Sequence, residues 1–456
     1  MREVPVSAGS RHQRGHARRR PWRVPLIIAL GGLFALAGLR LLLSSDGIRG
    51  MVRSLVTRAE PDSPDGQWNP VRPVVADDRL SPEQREKIKR LLSLGYAGGT
   101  RPASVASGVT VIDETLASRG LRFFISGHAP EAMLMTRDGE IVHAWRYAYE
   151  DLHASRPAVF PPPVSATGCW RRARLLPDGD LLAIYEGHAL IKLDRRSRLI
   201  WSYAGKCHHD LDLDAGGNIY VLTREADVVP RLHPDDPVLL DYVTLLDHDG
   251  VFQRKIPLLE AFENSPYAGL LPKPGVSGDI FHTNTLELLD GRLVDRSPAF
   301  RAGNMLISVR ELDAIAVLDP RTETIVWAAK GSWSRQHEPT VLASGNILLF
   351  DNVGHRGHSC VLEIDPVSLE SIWEYADGPQ TPLFSETCGA GRRLANGNTL
   401  IVESDNGRAL EVTPDTRIVW EYYNPHRAGE ERELIAAIPD MEILPDEAYP
   451  VWLSDR

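Results

Sequence analysis

The sequence predicts an all-β body, a six-bladed β-propeller, from three recurrences. Turn dipeptides precede short β-rich runs at Asp178-Gly179, Gly217-Asn218, Gly303-Asn304, Gly345-Asn346 and Gly397-Asn398. A second apolar run follows, often ending in Asp, as at Asp194, Asp319 and Asp365. A third run often carries Trp, and Trp327, Trp373 and Trp420 stand 46 and 47 residues apart. A period of roughly 40–50 residues with several strands per unit marks stacked blades. The six units cover about 105–150, 165–204, 207–257, 281–330, 336–377 and 386–424. The Trp residues are read as plugs between blades, not as a binding platform.

Before the propeller come other elements. Residues 1–23 carry seven Arg and one Glu, so the rest of a chain of net charge -10 sums to -16. An acidic body of this kind excludes nucleic acid as a partner. Val24–Leu43 is apolar except for Arg40, and twenty helical residues reach across a bilayer core. The basic cluster before this span predicts a cytoplasmic segment 1–23, a single transmembrane helix 24–43, and a body in the periplasm or extracellular space. No A-x-A-like site follows the span, which favours an anchor over a cleaved leader. Residues 44–104 form a linker and a short amphipathic helix, started by Ser81-Pro82-Glu83-Gln84 and carrying Ile88, Leu91, Leu92 and Leu94 on one side. The propeller is expected over 105–425, with 426–456 as an acidic C-terminal tail. Two insertions, Pro257–Gly278 and about 294–302, are expected in the loops of one face.

Aligning the units on their turn glycines brings out the chemistry. His209 stands eight residues before Gly217, and His337 eight before Gly345. The same step from Gly291 lands on Thr283, one past His282. In the second and last units the position holds Arg171 and Gly389 instead. Arg224 and Arg310 each stand seven residues after a turn glycine, at the end of the second strand. Innermost strands begin at one mouth of the channel, so three imidazoles and one or two guanidiniums are expected to converge there as a cationic pocket for an oxyanion. No metal or other cofactor is expected, because the arginines oppose a cation.

Four motifs in order, Cys207-His208-His209-Asp210, His282-Thr283-Asn284, Gly303–Arg310 with Asp313-Ala314-Ile315, and Gln336-His337 with Phe350-Asp351-Asn352, resemble bacterial arylsulfate sulfotransferases over about 165–424. The resemblance implies transfer of a sulfuryl group from an aryl sulfate to a phenolic acceptor, without a nucleotide-activated donor. It implies His337 as the nucleophile that becomes a sulfohistidine, with His282, Arg310 and His209 around the sulfuryl oxygens. His208, Arg224, Asn284 and Asn352 are the expected substrate-binding positions, and register prefers His209 over His208. Neutral imidazole suits the role, being both a nucleophile and a tolerable leaving group.

Cys169 and Cys207 each stand ten residues before a turn glycine on neighbouring units. A disulfide between them is expected in an exported domain, leaving Cys360 and Cys388 as the other pair. Four cysteines allow three pairings, and spacing does not choose. The alternative function is a propeller that binds a ligand or protein without turnover. A quinone-dependent dehydrogenase is disfavoured because no calcium-ligand set is visible.

Overall fold

The structure, a computed structural model, describes residues 68–70, 104–152, 167–354, 357–376, 383–429, 432–445 and 451–453. Six antiparallel blades stand around one axis, and in the second to sixth the first strand in chain order is innermost. The second blade is Arg172–Leu175, Leu181–Tyr185, Ala189–Leu193 and Leu199–Tyr203. The third begins at Cys207–Leu213, the fourth at Thr283–Leu288, the fifth at His337–Val341 and the sixth at Ala390–Arg393. The expected six-bladed propeller is therefore present. The Val24–Leu43 span and the helix after Ser81 lie outside the described residues. Among the described residues no helix is long and apolar enough to cross a membrane.

The first blade departs from the sequence reading. Its innermost strand is Asp440–Ile443, paired antiparallel with Arg122–Ile125, and the blade continues through Glu131–Met135 and Ile141–Arg146. Gly108–Ile112, expected in the first unit, instead pairs with Ile418–Tyr423 as an extra outer strand of the sixth blade. The two ends of the repeat thus exchange strands and close the ring, and the propeller extends beyond 425 into the expected tail. The exchange ties the C-terminal end of the chain to the first blade and the start of the propeller to the last.

The outer-strand tryptophans seal the gaps between blades. Trp145 Nε1 donates to Gly179 O of the second blade at 3.0 Å, and Trp373 Nε1 to Pro414 O of the sixth at 2.9 Å. Trp420 Nε1 donates to Arg137 O of the first blade at 2.8 Å. Trp145 and Trp420 are fully buried. Truncating a buried aromatic of this size costs about 3–5 kcal/mol, so these are packing residues.

The two insertions sit on opposite faces, contrary to expectation. Residues 258–278 follow an outer strand and fall at the end where innermost strands begin. Residues 294–302 lie between an innermost strand and the next, at the other end, where Arg296 donates to Gly345 O at 2.9 Å. The alternation of strand direction decides the face, whatever the loop composition.

Candidate active site

Consecutive residues at the innermost strand starts form two layers. Arg171, His209 and His337 form the mouth layer, and Arg172, Asp210 and Glu338, their immediate successors, form a floor with Arg392 and Asp440. Arg172 is 3.0 Å from Asp210 Oδ1 and 2.6 Å from Asp440 Oδ2, and also binds Glu338. Arg392 is 2.6 Å from Asp440 Oδ1. Burial would raise the Asp440 carboxyl, but Arg392 and Arg172 outweigh it and hold it well below the usual range. A cavity of about 650 Å³ continues along the axis beyond this floor, lined by residues such as Arg174, Asp212, Glu287 and Glu442. It lies on the far side of the floor from the histidines and is not the site.

Backbone irregularities aim the mouth layer. The ladder slips between Cys207 and Leu211, between Thr283 and Thr285, and between His337 and Thr340. His209, His282 and Glu338 have φ of 49°, 49° and 48°, a left-handed conformation uncommon for such residues. These slips end regular pairing at the mouth and turn side chains towards the axis. At the matching place in the sixth blade Gly389 has φ 145°, and a Cβ there would stand 2.5 Å from the Phe350 ring.

His337 is 2% exposed, and its hydrogen bonds determine which nitrogen is free. Asn352 Nδ2 donates to Ser385 O and Cys388 O, both at 2.8 Å, so its Oδ1 must face the imidazole. His337 Nδ1 lies 2.7 Å from that Oδ1 and 3.0 Å from Arg335 O. Both neighbours are acceptors, so Nδ1 carries the proton. Nε2 is left with a lone pair and has no hydrogen-bond partner. Burial, then Arg171 and Arg310, push the imidazole well below its ordinary range, against the bond to Asn352. The ring is neutral at physiological pH.

The other imidazoles stand around it. His209 and His282 meet edge to face with centroids 4.7 Å apart. Arg224 Nη2 donates to His209 Nδ1 at 3.3 Å, which places the His209 proton on Nε2. His282 Nδ1 is 2.6 Å from Asp279 Oδ2, and Asp279 Oδ1 accepts the His282 backbone N–H at 3.0 Å. Asp279 arrives on the short strand Gly278–Asp279 at the end of the first insertion, so that insertion orients a site histidine. His208 is fully buried behind His209, with the two Nδ1 atoms 3.0 Å apart and Nε2 3.7 Å from Asp241. Burial, then neighbouring positive groups, push both His208 and His209 down.

The structure therefore brings His209, His282 and His337 together, with the charge of Arg310 acting on His337 and that of Arg224 on His209. Arg310 Nη1 also donates to Glu311. Arg171 was missed as a site residue. Its charge acts on His208, His209 and His337 alike, and its register position eight residues before Gly179 was the available signal. Two expected substrate contacts have other work. Asn284 Nδ2 donates to Gln336 O at 2.9 Å and its Oδ1 accepts from Thr285, so it holds the strand that begins at His337. Asn352 orients His337.

The disulfide expectation is corrected, since no disulfide joins Cys169, Cys207, Cys360 and Cys388, all four of them described residues. Cys207 packs with Leu182, Leu190 and Val221, whereas Cys360 packs with Leu349 and Leu362 and lies 3.6 Å from Asp351 Oδ2. Shared register fixes distance along a strand, not the facing of two Cβ atoms that a disulfide requires. Glu186, His208 and His209 present ligand atoms within 4.8 Å of one another. Arg224 binds Glu186 at 2.5 Å and touches His209, so a cation there would meet its charge. Three guanidiniums and several imidazole nitrogens around the unpartnered Nε2 of His337 suit a tetrahedral oxyanion.

The model of the family described as Arylsulfotransferase (ASST) matches residues 172–425. No curated protein sequence matches the chain. Among solved structures, a protein of unknown function from Bacteroides caccae is 13% identical, with TM-score 0.43, over 71% of this chain and 98% of that one. A virginiamycin B lyase from Staphylococcus aureus is 14% identical, with TM-score 0.40, over 74% of this chain and 94% of that one. Identities this low say nothing of function.

Proposed function

The chain belongs to the arylsulfotransferase (ASST) family, and from that premise we propose that it transfers a sulfuryl group from an aryl sulfate to a phenol through His337. The observation that carries the reading is the neutral His337 ring, with an unpartnered Nε2 among arginines and histidines. In the first half-reaction the Nε2 lone pair attacks sulfur, and the S–O(aryl) bond breaks with its electron pair leaving on the phenolate. Arg310, Arg171 and the Nε2–H of His209 hold the sulfuryl oxygens as charge builds, each charge-assisted bond contributing about 1.5–3 kcal/mol. In the second, the acceptor oxygen attacks sulfur, the N–S bond breaks and its pair returns to Nε2. His282, oriented by Asp279, takes the acceptor's proton, and in its protonated form supplies the one the departing phenolate needs.

The test is incubation with a chromogenic aryl sulfate. Chromophore release that depends on added phenol is the expected result. Absence of release with a panel of aryl sulfates would leave a binding propeller instead.

The proposal includes a membrane anchor at Val24–Leu43 with the body outside the cytoplasm, supported by the arginines that precede the span. A reporter active only in the cytoplasm, fused after Arg456, should be silent. Reporter activity would reverse the orientation.

A further inference from the structure

The turn that carries Arg310 is attached to both histidine strand starts beside it. Arg310–Leu312 is a single helical turn, and the Arg310 backbone N–H donates to His282 O at 3.3 Å. The turn closes at Asp313, whose backbone N–H donates to Arg310 O at 3.0 Å. Asp313 is left-handed, with φ 47° and ψ 38°, a conformation that a short polar side chain tolerates. Its half-buried carboxylate reaches the fifth blade, where Oδ1 accepts from Arg335 N–H at 2.8 Å and from Ser334 Oγ at 2.9 Å.

The loop held in this way ends on the nucleophile. Arg335 is itself left-handed, φ 56°, where a long side chain seldom sits. Such a conformation persists only where neighbours fix it. Arg335 O accepts from His337 Nδ1 at 3.0 Å, so the residue that Asp313 holds also orients the imidazole. Gln336 repeats the attachment one residue on, its Nε2 donating to Ala314 O at 2.8 Å and to Ser308 Oγ at 3.0 Å. Adjacent residues of the fourth blade, Asp313 and Ala314, thus receive adjacent residues of the fifth.

We propose that Asp313 is a positioning residue of the sulfuryl-transfer site, holding the loop that carries His337 against the turn that carries Arg310. Its effect on rate rests on the proposed reaction, whereas its hold on His337 rests on geometry alone. Without the carboxylate, the Arg335 N–H loses its acceptor and the residue relaxes towards negative φ. That relaxation swings the Arg335 carbonyl away from His337 Nδ1 and loosens the ring. Nε2 and the Arg310 guanidinium then lose the fixed separation that attack on a bound sulfuryl group requires.

Two substitutions separate the carboxylate from the turn it closes. Asp313→Gly removes the acceptor yet adopts the left-handed backbone freely, so the turn should still form. Asp313→Asn keeps an oxygen for both donors. In the full-length chain with histidines labelled in heavy nitrogen, the His337 Nδ1–H resonance is identified by its loss in His337→Asn. Its exchange with water is read without substrate. Exchange faster by about tenfold or more in Asp313→Gly, and close to wild type in Asp313→Asn, is the expected result. Single-turnover labelling at saturating aryl sulfate should slow by about tenfold or more in Asp313→Gly and recover in Asp313→Asn. A merely structural role would lower Tm in Asp313→Gly and leave both rates alone. Unchanged exchange in Asp313→Gly would overturn the assignment, as would Asp313→Asn proving as impaired as Asp313→Gly. No labelling of the wild-type chain, with the exchange difference intact, would remove sulfuryl transfer and leave Asp313 as the support of His337.

Discussion

His337→Asn is expected to lower turnover of an aryl sulfate by on the order of a thousandfold or more. Asparagine keeps much of the volume, and its amide can still donate to Arg335 O and Asn352 Oδ1, the acceptors that His337 uses. It has no lone pair of imidazole basicity to place on sulfur. The fold should survive and the chemistry should not. Intact-mass and peptide mass spectrometry after adding donor without acceptor is the direct measurement. A sulfuryl adduct on the peptide containing His337, absent in His337→Asn, is the expected outcome, with ping-pong kinetics alongside. Full activity in the variant would remove the mechanism. An adduct on His209 or His282 would keep the reaction and reassign the roles. The wild-type first half-reaction should also hold its rate as pH falls from about 7 to 6, where an ordinary histidine gains its proton. Burial, Arg171 and Arg310 hold His337 below that range, so the lone pair persists.

Asn352→Leu should slow adduct formation by on the order of a hundredfold or more, with donor binding little changed. Leucine has similar volume but takes away the acceptor that keeps the proton on His337 Nδ1. Arg335 O alone, at 3.0 Å, then opposes the tautomer with Nε2 protonated, which has no nucleophilic lone pair in the pocket. The substitution also removes the donors to Ser385 O and Cys388 O, at a folding cost of about 1–3 kcal/mol. Single-turnover labelling separates the two effects. Asn352→Asp keeps an oxygen facing Nδ1–H and should recover part of the labelling rate, whereas a purely structural role predicts no such rescue. Labelling at the wild-type rate in Asn352→Leu would show that His337 needs no such orientation.

The repeat was legible because blade strands are built from neighbours. Turn glycines with positive φ at Gly179, Gly217, Gly303, Gly345 and Gly397 are local necessities, and alternation between them follows. Counting from those turns found His209 and His337 at one mouth, and the same step from Gly291 fell one residue past His282. It also landed on Arg171, which was passed over because its residue type broke the pattern. The closing strand Asp440–Ile443 was not legible. It pairs with residues some three hundred positions earlier, and nothing local distinguishes four such residues from a tail. Asp279 was hidden in the same way, inside an insertion whose end pairs with Val238 and Leu239.

Blade count, the innermost strand starts of the second to sixth blades and the residue types gathered at the mouth were legible in the chain, since these follow from short-range turn chemistry and a fixed period. Tertiary structure decided the proton on His337 Nδ1, the use of Asn284 and Asn352 as supports, and that no disulfide joins the four cysteines. Those properties depend on which atoms meet across blades. Asn352 must exhaust its amide on Ser385 and Cys388 before its oxygen can be assigned to His337, and no spacing along the chain encodes that order of hydrogen bonds.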